Sequence, residues 1–198
     1  MTTTPRIILA STSPYRRALM KRLGVPFEVM APPFDEEAAK PALAHLDVES
    51  LSLSLARSKT LSVSRLEPTA IVIGSDQIAT IDGERLDKPG THARACAQLK
   101  RLSGRSHRLV TALVVARGEE ILEAVDVHTL YVRRLSDAQI EDYVQRDQPL
   151  DCAGSYKIES LGVALLERVV GEDASAIEGL PLMRLVTMLE KLGVRVLG

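Results

Sequence analysis

The chain has 198 residues, 45% hydrophobic and 26% charged, and its 25 Lys+Arg against 26 Asp+Glu leave a formal net charge of −1. That length is nearest to one domain, and a globule of this size buries roughly 70% of its unfolded surface, so no disulfide or structural metal is needed to stabilise it. The mix excludes disorder, a collagen repeat and a disulfide scaffold, and with no Trp and 3% aromatics the core must come from Leu, Val, Ile and Ala.

No global field favours a nucleic acid polymer or an anionic membrane surface. Cys96 and Cys152 lack a C-x-x-C spacing and the four histidines are scattered, which argues against a zinc site and for reduced thiols in a cytosol. The apolar run Ile7-Ile8-Leu9-Ala10 is far too short for a signal segment. Nothing approaches the ~18 apolar residues of a membrane span. A soluble, cytoplasmic protein is expected.

Strand-like and helix-like segments alternate along the chain, which predicts an α/β class with a mixed sheet. Residues 6–10 read as a buried strand. Ser13 caps a helix with Pro14 at its first position, ending at Gly24. Residues 25–30 read as a second strand and 31–42 as a Pro-rich acidic connector. Asp47 caps a helix to about Leu66, with Val48, Leu51, Leu55, Ser62 and Leu66 on one face. Residues 70–81 form a strand ending at the turn Asp82-Gly83, and 91–102 a helix closed by Gly104. Residues 109–116 and 121–132 flank Arg117-Gly118-Glu119 as a hairpin. Ser136-Asp137-Ala138-Gln139 is a capping box. Residues 161–169 read as a strand and 181–192 as an amphipathic helix stopped by Gly193.

Four segments carry chemistry. In the first, a strand runs through Ser11-Thr12-Ser13 into the helix that begins Pro14-Tyr15-Arg16-Arg17. Helix-start amides and the positive dipole end suit an anion, and a bound phosphate would relieve the penalty of two arginines in a first turn. The alternative is that the arginines simply point into water. In the second, Ile71-Val72-Ile73-Gly74-Ser75-Asp76-Gln77 sets a carboxylate after a buried apolar run, where it must be paired, metal-bound or at a sheet end. Asp76 can bind a divalent ion or take a proton from water, or it is bonded to backbone amides in a turn. Asp76 and Gln77 face opposite sides of a regular strand, so a shared site needs a bend, for which Gly74 is a candidate.

The third set is dispersed: Asp35, Glu36, Lys59 and Lys88. Singly each reads as a solvated charge. Together they offer carboxylates for Mg²⁺ and cations for the charge that develops in phosphoryl transfer. In the fourth, Ala153-Gly154 before Ser155-Tyr156 implies a close backbone approach, and Glu159 can accept two hydrogen bonds from a base edge or lie in a surface loop. No G-x-x-x-x-G-K-[ST] or G-x-G-x-x-G is present, so neither a P-loop nor a Rossmann unit is expected.

Taken in order, Leu9-Ala10-Ser11-Thr12-Ser13-Pro14, Asp35-Glu36, Ala56-Arg57-Ser58-Lys59, Gly74-Ser75-Asp76, Lys88-Pro89, Leu102-Ser103-Gly104, Ala153-Gly154-Ser155-Tyr156 and Gly179-Leu180-Pro181 resemble the Maf-like nucleotide pyrophosphatases. The resemblance spans the chain. It implies a single domain over residues 1–198, with a long curved mixed β-sheet flanked by helices, two lobes around a cleft, and kinship with the inosine-triphosphate pyrophosphatases. It implies hydrolysis of a nucleoside triphosphate to monophosphate and pyrophosphate with Mg²⁺ or Mn²⁺, by a cytoplasmic homodimer.

By position, Asp76 resembles the catalytic proton acceptor, Ser11, Ser13, Arg16, Lys59 and Lys88 resemble phosphate contacts, and Glu36 resembles a metal-side carboxylate beside Asp76. The family branch acting on dTTP and UTP usually has Arg at position 15, Thr at 77 and Gln at 159. Tyr15, Gln77 and Glu159 instead resemble the 7-methyl-GTP branch. An N7-methylated purine is cationic, so an aromatic face attracts it and a carboxylate can accept from its N1–H and N2–H₂. The remaining expectations are a pyrophosphatase for dTTP, UTP or CTP, or a non-catalytic nucleotide-binding regulator of cell division.

Overall fold

In the computed structural model, which describes residues 5–197, β1 (Ile7–Ala10) is flanked by two parallel neighbours. These are β2 (Glu28–Met30), at Leu9↔Val29, and β3 (Ile71–Ile81), at Leu9↔Ile73. Parallel neighbours need crossovers long enough to return the chain. Helix α1 (Pro14–Lys21) serves β1 to β2, and α2 (Glu36–Leu43) with α3 (Val48–Ser64) serves β2 to β3. The other elements are β4 (Glu84–Leu86), α4 (His92–Leu102), β5 (Ser106–Arg117), β6 (Glu120–Val132), α5 (Asp137–Asp147), β7 (Leu166–Val170) and α6 (Leu182–Lys191). The strands form a seven-stranded sheet in the order β2-β1-β3-β5-β6-β7, with β4 on β3. The mixed α/β sheet expected from the sequence is therefore present.

The chain divides into two units. The first holds the residues up to Asp76, Thr111–Asp126 and those from Asp173 onward; the second holds Gln77–Val110 and Val127–Glu172. In the first unit β1 and the first half of β3 are buried on both faces, as interior parallel strands generally are, while the edge strand β2 is largely exposed. Ile7, Leu9, Ile71 and Ile73 join Leu19 and Met20 of α1 and Leu185 and Leu189 of α6 in one apolar cluster. The alternate residues Ile8, Ala10 and Val72 pack with Val63 of α3 in another. Period-two alternation thus feeds both layers.

In the second unit, β3 turns through Asp82-Gly83 into β4 with Ala79 opposite Leu86, and β6 pairs antiparallel with β7, Leu130 opposite Val169. Ser136 and Gln139 complete the expected capping box of α5. Among the described residues, no helix is long and apolar enough to cross a membrane.

Three local expectations change. The acidic connector contains α2: Asp35 is its N-cap, accepting from Ala38 N at 3.0 Å, and Pro41 lies inside it. Helix α3 ends at Ser64, so Leu66 lies beyond its buried face and is 62% exposed. The stretch 161–169 is a 3-10 turn over Leu161–Leu165 followed by β7.

Candidate active site

The first unit gathers three of the expected residues around another, the buried carboxylate of Asp76. Asp76, near the middle of β3, is 6% exposed. Its Oδ1 accepts from Lys59 Nζ at 2.6 Å, and the same ammonium lies 2.7 Å from Glu36 Oε2. Lys59 is presented by α3, whose start is fixed by Asp47 accepting from Ser50 N at 2.7 Å. Glu36 is the first residue of α2, held there by the Asp35 cap. Ser52 Oγ, also on α3, donates to the Asp76 carbonyl at 3.1 Å.

Close packing of α3 on β3 makes this convergence possible. A Cβ at position 74 would stand 2.1 Å from Thr60 Oγ1, which itself donates to Ala56 O at 2.8 Å. Gly74 is therefore required for the close approach of the helix.

Arg16 is the fourth member. Its Nε donates to Gly179 O at 2.9 Å, and Ser75 Oγ donates to the same carbonyl at 2.8 Å. Burial pulls the Arg16 guanidinium down from its usual value, while the charges of Asp76 and Glu36 push it back up; arginine stays protonated at physiological pH regardless. Burial pushes the Asp76 carboxyl above the ordinary carboxylate range, and Lys59 and Arg16 reverse only part of that shift. A carboxylate with a raised midpoint is a better proton acceptor once ionised.

The turn before α1 is organised by its own hydroxyls. Ser11, 5% exposed, accepts from Ser13 N at 3.1 Å, and Ser13 Oγ accepts from Arg16 N at 3.4 Å. Arg17 N bonds Ser13 O at 3.2 Å, and Pro14 has no N–H to give. The helix-start amides of Arg16 and Arg17, expected to face an anion, are thus engaged within the turn, and the hydroxyls and the Arg16 head are left as the polar groups there. Tyr15 is half-buried beside them.

The second unit carries the other expected residues. Gln77 is half-buried on β3, Lys88 is exposed in the segment after β4, and Glu159 is exposed in the turn before Leu161. The small residues before Tyr156 do reflect close packing: a Cβ at Gly154 would meet the Tyr156 ring at 2.9 Å. Tyr156 OH lies 2.8 Å from His107 Nε2 with the rings edge to face, and Ser155 Oγ donates to Gln98 at 2.6 Å.

Two positioning residues escaped the sequence reading. Gly179 aims Arg16, and its signal was the Gly179-Leu180-Pro181 run, read there solely as a family marker. Asp173, 2% exposed, accepts from Ser175 N at 3.1 Å with one carboxylate oxygen and from Met183 N at 2.7 Å with the other, which caps α6 from nine residues upstream of its start.

Glu36 and Asp76 fit a hard divalent cation: both donors are carboxylate oxygens, both lie within reach of one ammonium, and one is buried. These are the two residues that would hold it.

The fold and this cluster define an α/β protein with a buried carboxylate paired to an ammonium. The Maf-like protein family model matches residues 6–192, and the chain belongs to that family. It is 45% identical over 98% of its length to a protein of Albidiferax ferrireducens and 46% identical, again over 98%, to one of Methylobacillus flagellatus, covering 96% and 100% of those chains. Both are named 7-methyl-GTP pyrophosphatase. Among solved structures it resembles the Staphylococcus aureus Ham1 protein, with TM-score 0.44 and 15% identity over 64% of this chain and 71% of that one.

Proposed function

We propose that this chain, acting as one domain over residues 1–198, hydrolyses 7-methyl-GTP to 7-methyl-GMP and pyrophosphate with the aid of Mg²⁺ or Mn²⁺. At the coarser level it is a nucleotide pyrophosphatase, a hydrolase, in keeping with relatives that match nearly its whole length. The observation that carries the reading is the Lys59 ammonium held between Asp76 and Glu36, with the Arg16 charge acting on both carboxylates. The same family reading makes the working form a cytoplasmic homodimer.

In the proposed reaction a water oxygen attacks the α-phosphorus, the bond to the α–β bridging oxygen breaks, and pyrophosphate leaves. Asp76 takes the water's proton; its burial places it where bulk water competes little. Lys59, Arg16 and Lys88 oppose the negative charge that grows on the phosphates, and the Ser11 and Ser13 hydroxyls orient them. A bound divalent cation held by Glu36 and Asp76 would neutralise phosphate charge. Tyr15 stacks on the cationic purine, Glu159 accepts from its N1–H and N2–H₂, and Gln77 completes the choice of base. Tyr15 and Glu159 each favour a cation over a neutral pyrimidine.

A hydrolysis panel tests this. Pyrophosphate release with and without Mg²⁺ or Mn²⁺ should be faster from 7-methyl-GTP than from UTP, dTTP or CTP. The Tyr15→Arg, Glu159→Gln pair should lower that preference about tenfold. A wild-type preference for UTP or dTTP would overturn the base assignment, and binding without metal-dependent turnover would leave a nucleotide-binding regulator.

A further inference from the structure

Away from this cluster, α4 and α5 of the second unit bring together three side chains with different donor atoms. His92 and Cys96 stand four residues apart on α4 and so share a face; Glu141 comes from α5, which packs against α4. Cys96 Sγ lies 3.7 Å from His92 Nδ1 and 3.5 Å from Glu141 Oε2. On the other side of the ring, His92 Nε2 is 3.3 Å from Glu141 Oε1. One donor atom from each residue falls within 4.8 Å of the other two.

The two sulfur separations match those of a coordination shell. With metal–sulfur bonds of about 2.3 Å and metal–nitrogen or –oxygen bonds of about 2.1 Å, tetrahedral angles set the sulfur–nitrogen and sulfur–oxygen edges at about 3.6 Å. The two sulfur distances fall on either side of that value. His92 Nδ1 faces the sulfur, so a neutral ring with its proton on Nε2 presents its lone pair there. C-x-x-C spacing is absent, but here the helix supplies an i, i+4 pair and the third donor is distant in sequence.

We propose that His92, Cys96 and Glu141 bind one Zn²⁺, with water in the fourth position, clamping α4 to α5. Sulfur, imidazole and carboxylate together suit a borderline first-row divalent ion better than Mg²⁺, which takes oxygen alone. This site is independent of the Asp76 cluster and of the proposed substrate.

The test uses the tag-free full chain, stripped with a chelator and kept reduced, and titrated with Co²⁺ as the probe. A thiolate-to-cobalt charge-transfer band reports a sulfur-bound ion and is blind to an all-oxygen site. The expected result is one equivalent of Co²⁺ producing the band, displacement by Zn²⁺, loss of the band in Cys96→Ser and its retention in Cys152→Ser. Glu141→Gln, at an exposed position that tolerates change, should weaken binding about tenfold or more. Absence of the band, its survival in folded Cys96→Ser, or unchanged affinity in Glu141→Gln overturns the proposal. Should Cys96→Ser fail to fold, the Glu141→Gln affinity decides.

Discussion

The two units bury polar groups in opposite ways. In the first, a charged carboxylate, an ammonium and a guanidinium are gathered around Asp76, and burial holds the carboxyl above its usual range. In the second, the buried pair His107–Tyr156 is neutral: burial pulls the imidazole down to about 4 and pushes the phenol up. A neutral pair joined by a hydrogen bond costs less to bury than charges do, although His107 Nδ1 has no partner among the described residues; buried charges need close partners and still incur a desolvation penalty. The contrast sets charges held by close partners around Asp76 against a neutral pair at His107, and under the proposed function the first is where the chemistry takes place.

The largest effect that would break this contrast is on turnover. Asp76→Asn should lower kcat about a thousandfold while nucleotide binding measured by calorimetry persists. In the wild type, the acid limb of the kcat profile should lie above the ordinary carboxylate range, because Asp76 must be ionised to accept a proton. A folded Asp76→Asn protein with normal turnover would return the cluster to framework.

Next comes the packing that presents the cluster. Gly74→Ala forces a methyl against Thr60 and should destabilise the protein by about 2–3 kcal/mol in urea unfolding. In a double-mutant cycle, Thr60→Ala should recover part of that loss, since it removes the atom that the new Cβ meets.

The pH dependence separates the two units by sign. His107 has a folded midpoint of about 4 against the ordinary 6.5, so the unfolded chain binds more protons between those values. Stability from this group is therefore present above pH 6.5 and lost as pH falls toward 4, by about 3 kcal/mol, and His107→Asn should flatten that slope. Asp76 acts the other way: its folded midpoint is raised, so its contribution declines as pH rises through that midpoint. The smallest predicted effect follows. Asp76→Asn should stabilise the protein at neutral pH by about 1 kcal/mol, a melting shift of about 2–4 °C, and the gain should vanish in acid.

Much of the framework was legible from local rules. Ser13, Asp47, Thr91 and Ser136 all cap the helices that they were expected to start. The apolar run before Gly74 is the β3 interior. Helix α2 was hidden because Pro41 and the prolines before Asp35 signal a loop, while the capping bond from Ala38 N outweighs them within a short helix. Leu66 was misplaced because the periodicity runs on past the point where α3 stops.

The site was legible as a set of residue types and less so as a place. Nothing local links Glu36 to Lys59 or Lys59 to Asp76; the link is made by α3 lying against β3 closely enough that position 74 admits no side chain. The role of Gly179 was invisible for the same reason, because the bond it accepts comes from Arg16, 163 residues away; Asp173 was missed because it caps α6 from well before the usual N-cap position.

The bond from Arg16 to the Gly179 carbonyl has a consequence for the order of events in the cell. Arg16 is synthesised 163 residues before the carbonyl that orients it. Until that stretch has emerged, the polypeptide carries Ser11, Ser13, Lys59 and Asp76 without a fixed guanidinium among them. Nascent chains should therefore stay inert toward the nucleotide pool until Gly179 has left the ribosome.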